Sequence, residues 1–167
     1  MHTNRAVAIF YLGMTIGDLL SGLLSQKLKS RKKEVTAFIT FSLINVLIFL
    51  TLMRGASSTA MYVVISMMGF GNGFWTVFVT IAAENFGTNL RATVATTVPN
   101  FSRGSLVPIT GIFTKLTPAY MTPMSSAMLL TLLIYGLCYF SLWNVKETFS
   151  LDLNYLEEIN QSGWNQK

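Results

Sequence analysis

Five blocks of about twenty mostly apolar residues follow one another along this chain, and they constrain its fold more than any motif does. They fall at 6–24, 35–53, 60–83, 93–114 and 124–143. At 1.5 Å per residue, a helix of that length spans about 30 Å, the thickness of a bilayer's hydrocarbon layer. A water-soluble helical domain buries one or two such blocks, but five would leave it almost no polar surface. Charged residues make up only 11% of the 167, against about 25% in soluble domains. The ten-residue apolar–polar alternation of a membrane barrel does not recur. These features predict an all-α membrane protein of about five transmembrane helices, a bundle over 1–145 followed by a polar tail over 146–167. Within that tail Tyr155, Leu156 and Ile159 have the spacing of a short amphipathic helix.

The net charge of +5 does not point to nucleic acid, because five of the twelve Lys and Arg lie between Lys27 and Lys33. A basic loop between apolar blocks is a topology signal. Lys27, Lys29, Arg31, Lys32, Lys33, Arg91, Lys146 and Lys167 gather at one set of block ends; Arg5, Arg54 and Lys115 lie at the other. The first set is predicted to be cytoplasmic, with the N-terminus outside and the C-terminus inside, in a bacterial inner (plasma) membrane. The lone Cys138 lies in an apolar block and the lone His2 in the N-terminal tail. No Cys/His cluster has metal-ligand spacing, and no nucleophile, base and orienting group assemble. No metal, cofactor or enzymatic activity is expected.

The blocks differ in character. The second and fifth are almost purely apolar, with Asn45 the main exception in the second; the third and fourth are rich in polar residues and glycine. Polar groups in hydrocarbon are costly, so the third and fourth are expected inside, shielded by the second and fifth. Gly13 with Gly17, and Gly69 with Gly73, have the four-residue spacing that lets helix backbones approach closely. Asn72 and Trp75, three apart, are predicted to share a face and to offer an amide and a flat ring to a solute. In the fourth block Thr96, Asn100, Arg103, Val107 and Thr110 follow one stripe, with Pro99, Gly104 and Pro108 to bend it. Counted from Thr93, Arg103 lies about 15 Å deep, near the midplane. An arginine there costs about 2.5–3.5 kcal/mol to insert, so a carboxylate, backbone carbonyls or an anionic solute must compensate it. Asp18 is the one carboxylate inside a predicted block. It is expected to pair with Arg103 or to carry a proton.

Two loops resemble the major facilitator superfamily. Gly22-Leu23-Leu24-Ser25-Gln26-Lys27-Leu28-Lys29-Ser30-Arg31-Lys32 is similar to its G-x-x-x-D-R-x-G-R-R loop, with Gln26 in place of the acid and Lys29 in place of the second glycine. Glu84-Asn85-Phe86-Gly87-Thr88-Asn89-Leu90-Arg91 resembles the E-x6-R loop of its sugar-porter-like and organic-ion-transporter-like members, and Lys146-Glu147-Thr148 its P-E-T segment. The resemblance implies that the five blocks are helices eight to twelve of twelve, a partial six-helix half-bundle. It implies a secondary active transporter that moves a small-molecule solute by alternating access against an N-terminal half that this chain lacks. Asn72, Trp75, Asn100 and Arg103 would then bind solute. Gln26, Lys27, Arg31, Glu84 and Arg91 would gate the cytoplasmic side, with Glu84 and Arg91 paired across their loop. The rival expectation is a non-transporting membrane scaffold or assembly protein that uses its glycine faces for helix partners.

Overall fold

The computed structural model describes residues 2–53, 55–119 and 121–149. Among them there are helices and no strands. In chain order they are α1 (Thr3–Leu28), α2 (Arg31–Leu52), α3 (Ser58–Gly71), α4 (Trp75–Glu84), α5 (Thr88–Gly104), α6 (Leu106–Ala119) and α7 (Pro123–Asn144). The expected tail helix over Tyr155–Ile159 lies outside the described residues.

Local chemistry sets the ends. Lys29 closes α1 in the left-handed conformation, φ 48°, and Ser30 opens α2 by accepting from the Lys33 backbone N–H at 3.2 Å. Ser57 and Thr122 cap α3 and α7 in the same way, and Pro123 occupies the first turn of α7, where its missing N–H costs nothing.

Among the described residues four stretches are long and apolar enough to cross a membrane: α1, α2, α3 with α4 as one 27-residue stretch, and α7. Each agrees with a block expected from the sequence. The third is interrupted by a turn over Asn72, Gly73 and Phe74. The fourth expected block, 93–114, differs: it is divided between α5, of 17 residues, and α6, of 14. Pro108 is the physical reason, since its ring clashes with the Gly104 carbonyl four residues back and it has no N–H to bond that carbonyl. Pro99, by contrast, is accommodated inside α5.

The close approach expected of the glycines is present. A Cβ on Gly13 would lie 2.2 Å from the Ser66 carbonyl oxygen, and one on Gly69 would lie 2.0 Å from that of Phe10. Gly73 and Gly17 touch backbone to backbone. So α1 and α3 pack with nothing between their main chains. The layering expected from composition is corrected for the second and fourth blocks. Far from being an outer helix, α2 packs on α1, α3, α4 and α7 and buries Glu34, Val35, Phe38, Ile39, Ser42 and Asn45. In contrast, among the described residues α5 packs only on α4 and α6 and buries no residue. Apolar side chains along α1, such as Leu12 at 65% and Leu19 at 68% exposure, face outward as a lipid-facing surface requires.

Candidate functional site

The polar residues gather in two places. The first is the broken middle of the bundle, where the turn after α3 exposes the N-terminus of α4. The Thr76 backbone N–H and hydroxyl both donate to Asp18 Oδ1 at 3.3 Å. A carboxylate on a helix N-terminus satisfies an orphan N–H and meets the positive end of the helix dipole. Asp18 therefore serves α4 rather than Arg103, and the expected Asp18–Arg103 pair is not formed. The Arg103 guanidinium lies instead over the Trp75 ring, 5.6 Å from its centroid. Trp75 also packs on Phe78.

Asn72 and Trp75 are not brought to one face, because the turn between them breaks the helical register. The Asn72 amide donates to the Met68 carbonyl at 2.8 Å and reaches Ser42 at 3.5 Å, toward α2. Ser42 shares a 2.7 Å hydrogen bond with the Tyr135 hydroxyl, so Asn72, Ser42 and Tyr135 join α3, α2 and α7. Asn100 is exposed and donates to its own helix at Thr96. The expected stripe from Thr96 to Thr110 is cut at Ser105, between Arg103 and Val107. Of the four expected solute residues, then, Trp75 and Arg103 are together, Asn100 lies one turn along α5, and Asn72 faces elsewhere.

The second place is the end of the bundle carrying the basic loop. Arg31 donates to Glu84 Oε1 at 2.6 Å, joining the start of α2 to the end of α4. Glu84 was expected to pair with Arg91; here its bonded oxygen is held by Arg31, while Arg91 donates to the Phe86 carbonyl at 3.4 Å. Glu147 accepts from the backbone N–H of Arg31 at 2.9 Å and of Lys32 at 3.3 Å, and from the Ser30 hydroxyl. It is a carboxylate from beyond α7 sitting on the N-terminus of α2. Lys32 Nζ returns the contact, donating to the Trp143 and Val145 carbonyls at 2.9 and 3.1 Å. Arg31 also faces the Phe149 ring at 5.9 Å. Burial pushes the Glu147 carboxyl up, but the hydrogen bonds from Ser30, Phe149, Arg31 and Lys32 outweigh it and hold the carboxyl below its ordinary value. Gln26 and Lys27, on the last turn of α1, take no part in these bonds.

Sequence reasoning missed Glu34. In sequence it directly follows the basic run that ends at Lys33, yet it is fully buried and accepts a 2.5 Å hydrogen bond from Ser21 on α1. Its second oxygen has no partner among the described residues. The only signal was its position one turn after a Ser cap, just where an apolar block begins.

Among the described residues the fold is all-helical, and four stretches are long and apolar enough to cross a membrane. No protein-family model matches the chain, and neither a curated protein nor a solved structure matches it.

Proposed function

We propose that this chain is part of a secondary active transporter of the major facilitator type, corresponding to helices eight to twelve. On this reading it moves a small-molecule solute by rocking against a second helical bundle. One observation carries the proposal. The three segments that resemble separate family motifs, around Arg31, Glu84 and Glu147, lie far apart in sequence but meet at one end of the bundle. They form a latch of charge-assisted bonds between the ends of α2, α4 and α7. Such a latch holds one conformer and must open in the other, which is what alternating access demands of it.

In this mechanism Trp75 and Arg103 form the solute-facing wall of the bundle: a flat ring for stacking and a cation for a carboxylate or a hydroxyl-rich solute. The exposed surface of α5 and α6, including Phe101 at 81% and Val107 at 76% exposure, is the surface that meets the second bundle. Asp18 fixes the start of α4 beneath Trp75, so it positions the wall. The latch end lies in the cytoplasm, following the charge count.

The test is uptake. Vesicles from cells expressing the complete transporter are assayed with labelled sugars, amino acids, organic anions and organic cations. Saturable uptake of one class is expected, reduced at least tenfold by Arg103→Ala. Glu84→Gln should change uptake rate more than solute affinity, because it loosens the latch and not the wall. Absence of uptake across the panel, from protein shown to be folded and inserted, would leave the scaffold reading standing instead.

A further inference from the structure

A shallow groove of about 370 Å³ opens on the bundle surface where α1, α2 and α3 meet. Leu20, Leu23, Leu24 and Lys27 of α1 form one wall at helical spacing, and Phe38 of α2 and Phe70 of α3 form the other. The two phenyl rings stack at 5.5 Å and 21°, so that wall is flat. From Leu20 to Lys27 the groove runs roughly 10 Å along α1. It is apolar for all of that length and ends in a single ammonium group.

The charge around that ammonium is unspent. Of the five cations from Lys27 to Lys33, Arg31 is bound to Glu84 and Lys32 to two carbonyls. The side chains of Lys27, Lys29 and Lys33 are exposed and make no hydrogen bond or ion pair among the described residues. The carboxylates of α1 and α2 are engaged elsewhere: Glu34 is buried against Ser21 and Asp18 holds Thr76. An apolar trough within three membrane-length helices, closed at the basic end by an uncompensated lysine, complements a molecule with a hydrocarbon chain and an anionic head.

We propose that this groove binds an anionic phospholipid. One acyl chain lies between the leucine stripe of α1 and the Phe38–Phe70 wall, and the phosphate rests on Lys27, with Lys29 and Lys33 adding to the field. Lys27 lays its methylene stem along the groove and holds its charge at the membrane surface. The same loop ends in the latch, so an occupied groove steadies the turn from which Arg31 and Lys32 reach out. The site does not depend on transport and survives if the chain transports nothing.

The experiment follows thermal unfolding of the detergent-purified chain during titration with phosphatidylglycerol, phosphatidylcholine or soluble glycerol phosphate, with bound lipid counted by native mass spectrometry. Phosphatidylglycerol should raise the unfolding temperature saturably and remain bound, and the other two should not. A lysine near the surface contributes about 1 kcal/mol toward anionic lipid, so Lys27→Gln should weaken the apparent affinity about fivefold. Lys27→Arg should retain it, Leu23→Ala should weaken it at unchanged charge, and Lys115→Gln, on α6, should leave it unaltered. Equal shifts with phosphatidylcholine would make the groove an unselective lipid contact and overturn the proposal. Equal shifts with glycerol phosphate would make it a phosphate site without a chain, and a Lys27→Gln protein that binds as before would place the lipid elsewhere; each result rejects the assignment.

Discussion

The α1–α3 crossing and the α5–α6 arm have similar ingredients and opposite packing. Both contain glycines and hydroxyl-bearing side chains in helices. In the crossing, Gly13 meets the Ser66 and Phe70 backbone, Gly69 meets that of Phe10, Gly17 meets Gly73, and the main chains touch. In the arm, a Cβ on Gly104 or Gly111 would meet nothing within 4 Å. There the polar side chains turn inward to their own backbone: Thr96 to Ala92, Asn100 to Thr96, Ser105 to Ser102, Thr114 to Gly111. A small or polar residue in an apolar helix thus shows that the helix wants a close neighbour, but not whether the same chain supplies it. The crossing has its neighbour in hand. The arm, on the reading proposed above, finds one in a second bundle.

The sharpest way to break this comparison is to add one methyl group on each side of it. Gly69→Ala puts a Cβ 2.0 Å from the Phe10 carbonyl oxygen, a backbone atom that cannot swing aside. The helices must separate along their length, and the expected loss is about 3 kcal/mol or more. Gly111→Ala meets only open space and removes backbone freedom, so it should be neutral or add up to about 0.5 kcal/mol. Chemical unfolding of both proteins in mixed micelles measures the difference. Similar losses at the two sites would show that α6 is packed as tightly as α3, and the contrast would be gone.

The legibility of the sequence follows the same division. Long apolar blocks and paired glycines are local, repeated signals, and the helices around 6–24, 35–53, 60–83 and 124–143 and a close helix approach at each glycine pair were readable from them, though not that the two pairs face each other across α1 and α3. The break at Asn72–Phe74 was not, because Gly71 and Gly73 serve equally well as packing residues and as a turn. That break decides the site. It turns Asn72 toward Ser42, leaves Trp75 to Arg103, and creates the helix start that Asp18 satisfies. The central place of α2 was hidden for a related reason. A helix apolar all round suits lipid and core equally, and only Asn45 and the edge residue Glu34 hinted at burial. The latch partners could be nominated individually, but the choice of Arg31 over Arg91 for Glu84 depends on where helix ends meet in space.

A smaller effect comes from the end of the bundle that both regions share through α4 and α7. Glu147 ties the chain beyond α7 to the start of α2 by bonds to a charged acceptor. Glu147→Gln keeps the shape and removes the charge, at a cost of about 1 kcal/mol because the group is exposed. The sign of the pH effect is fixed. A carboxyl held below its ordinary value contributes in full above the ordinary glutamate value of about 4.3, and that contribution is lost as pH falls through the folded value. Stability measured from pH 7 down to pH 3 should therefore fall more in the wild type than in Glu147→Gln, and the two curves should converge at the acid end. Parallel curves would mean that Glu147 does not hold α2 as a carboxylate.

The smallest effect tests a contact that carries a charge from the arm to the middle of the bundle. Arg103 lies over Trp75 at 5.6 Å, and an exposed cation–π pair is worth about 0.5 kcal/mol. Trp75→Leu alone removes the ring's packing on Phe78 as well, so the single substitution overstates the pair. A double-mutant cycle with Arg103→Gln isolates it: the two changes together should cost about 0.5 kcal/mol less than the sum of each alone. A coupling near zero means that α5 leans on α4 through apolar contact only. A coupling of 2 kcal/mol or more means the pair is desolvated, as it would be with a second bundle closed over it. On the reading proposed above, the same cycle run with and without a second bundle present therefore asks whether the arm gains the neighbour that the α1–α3 crossing already has.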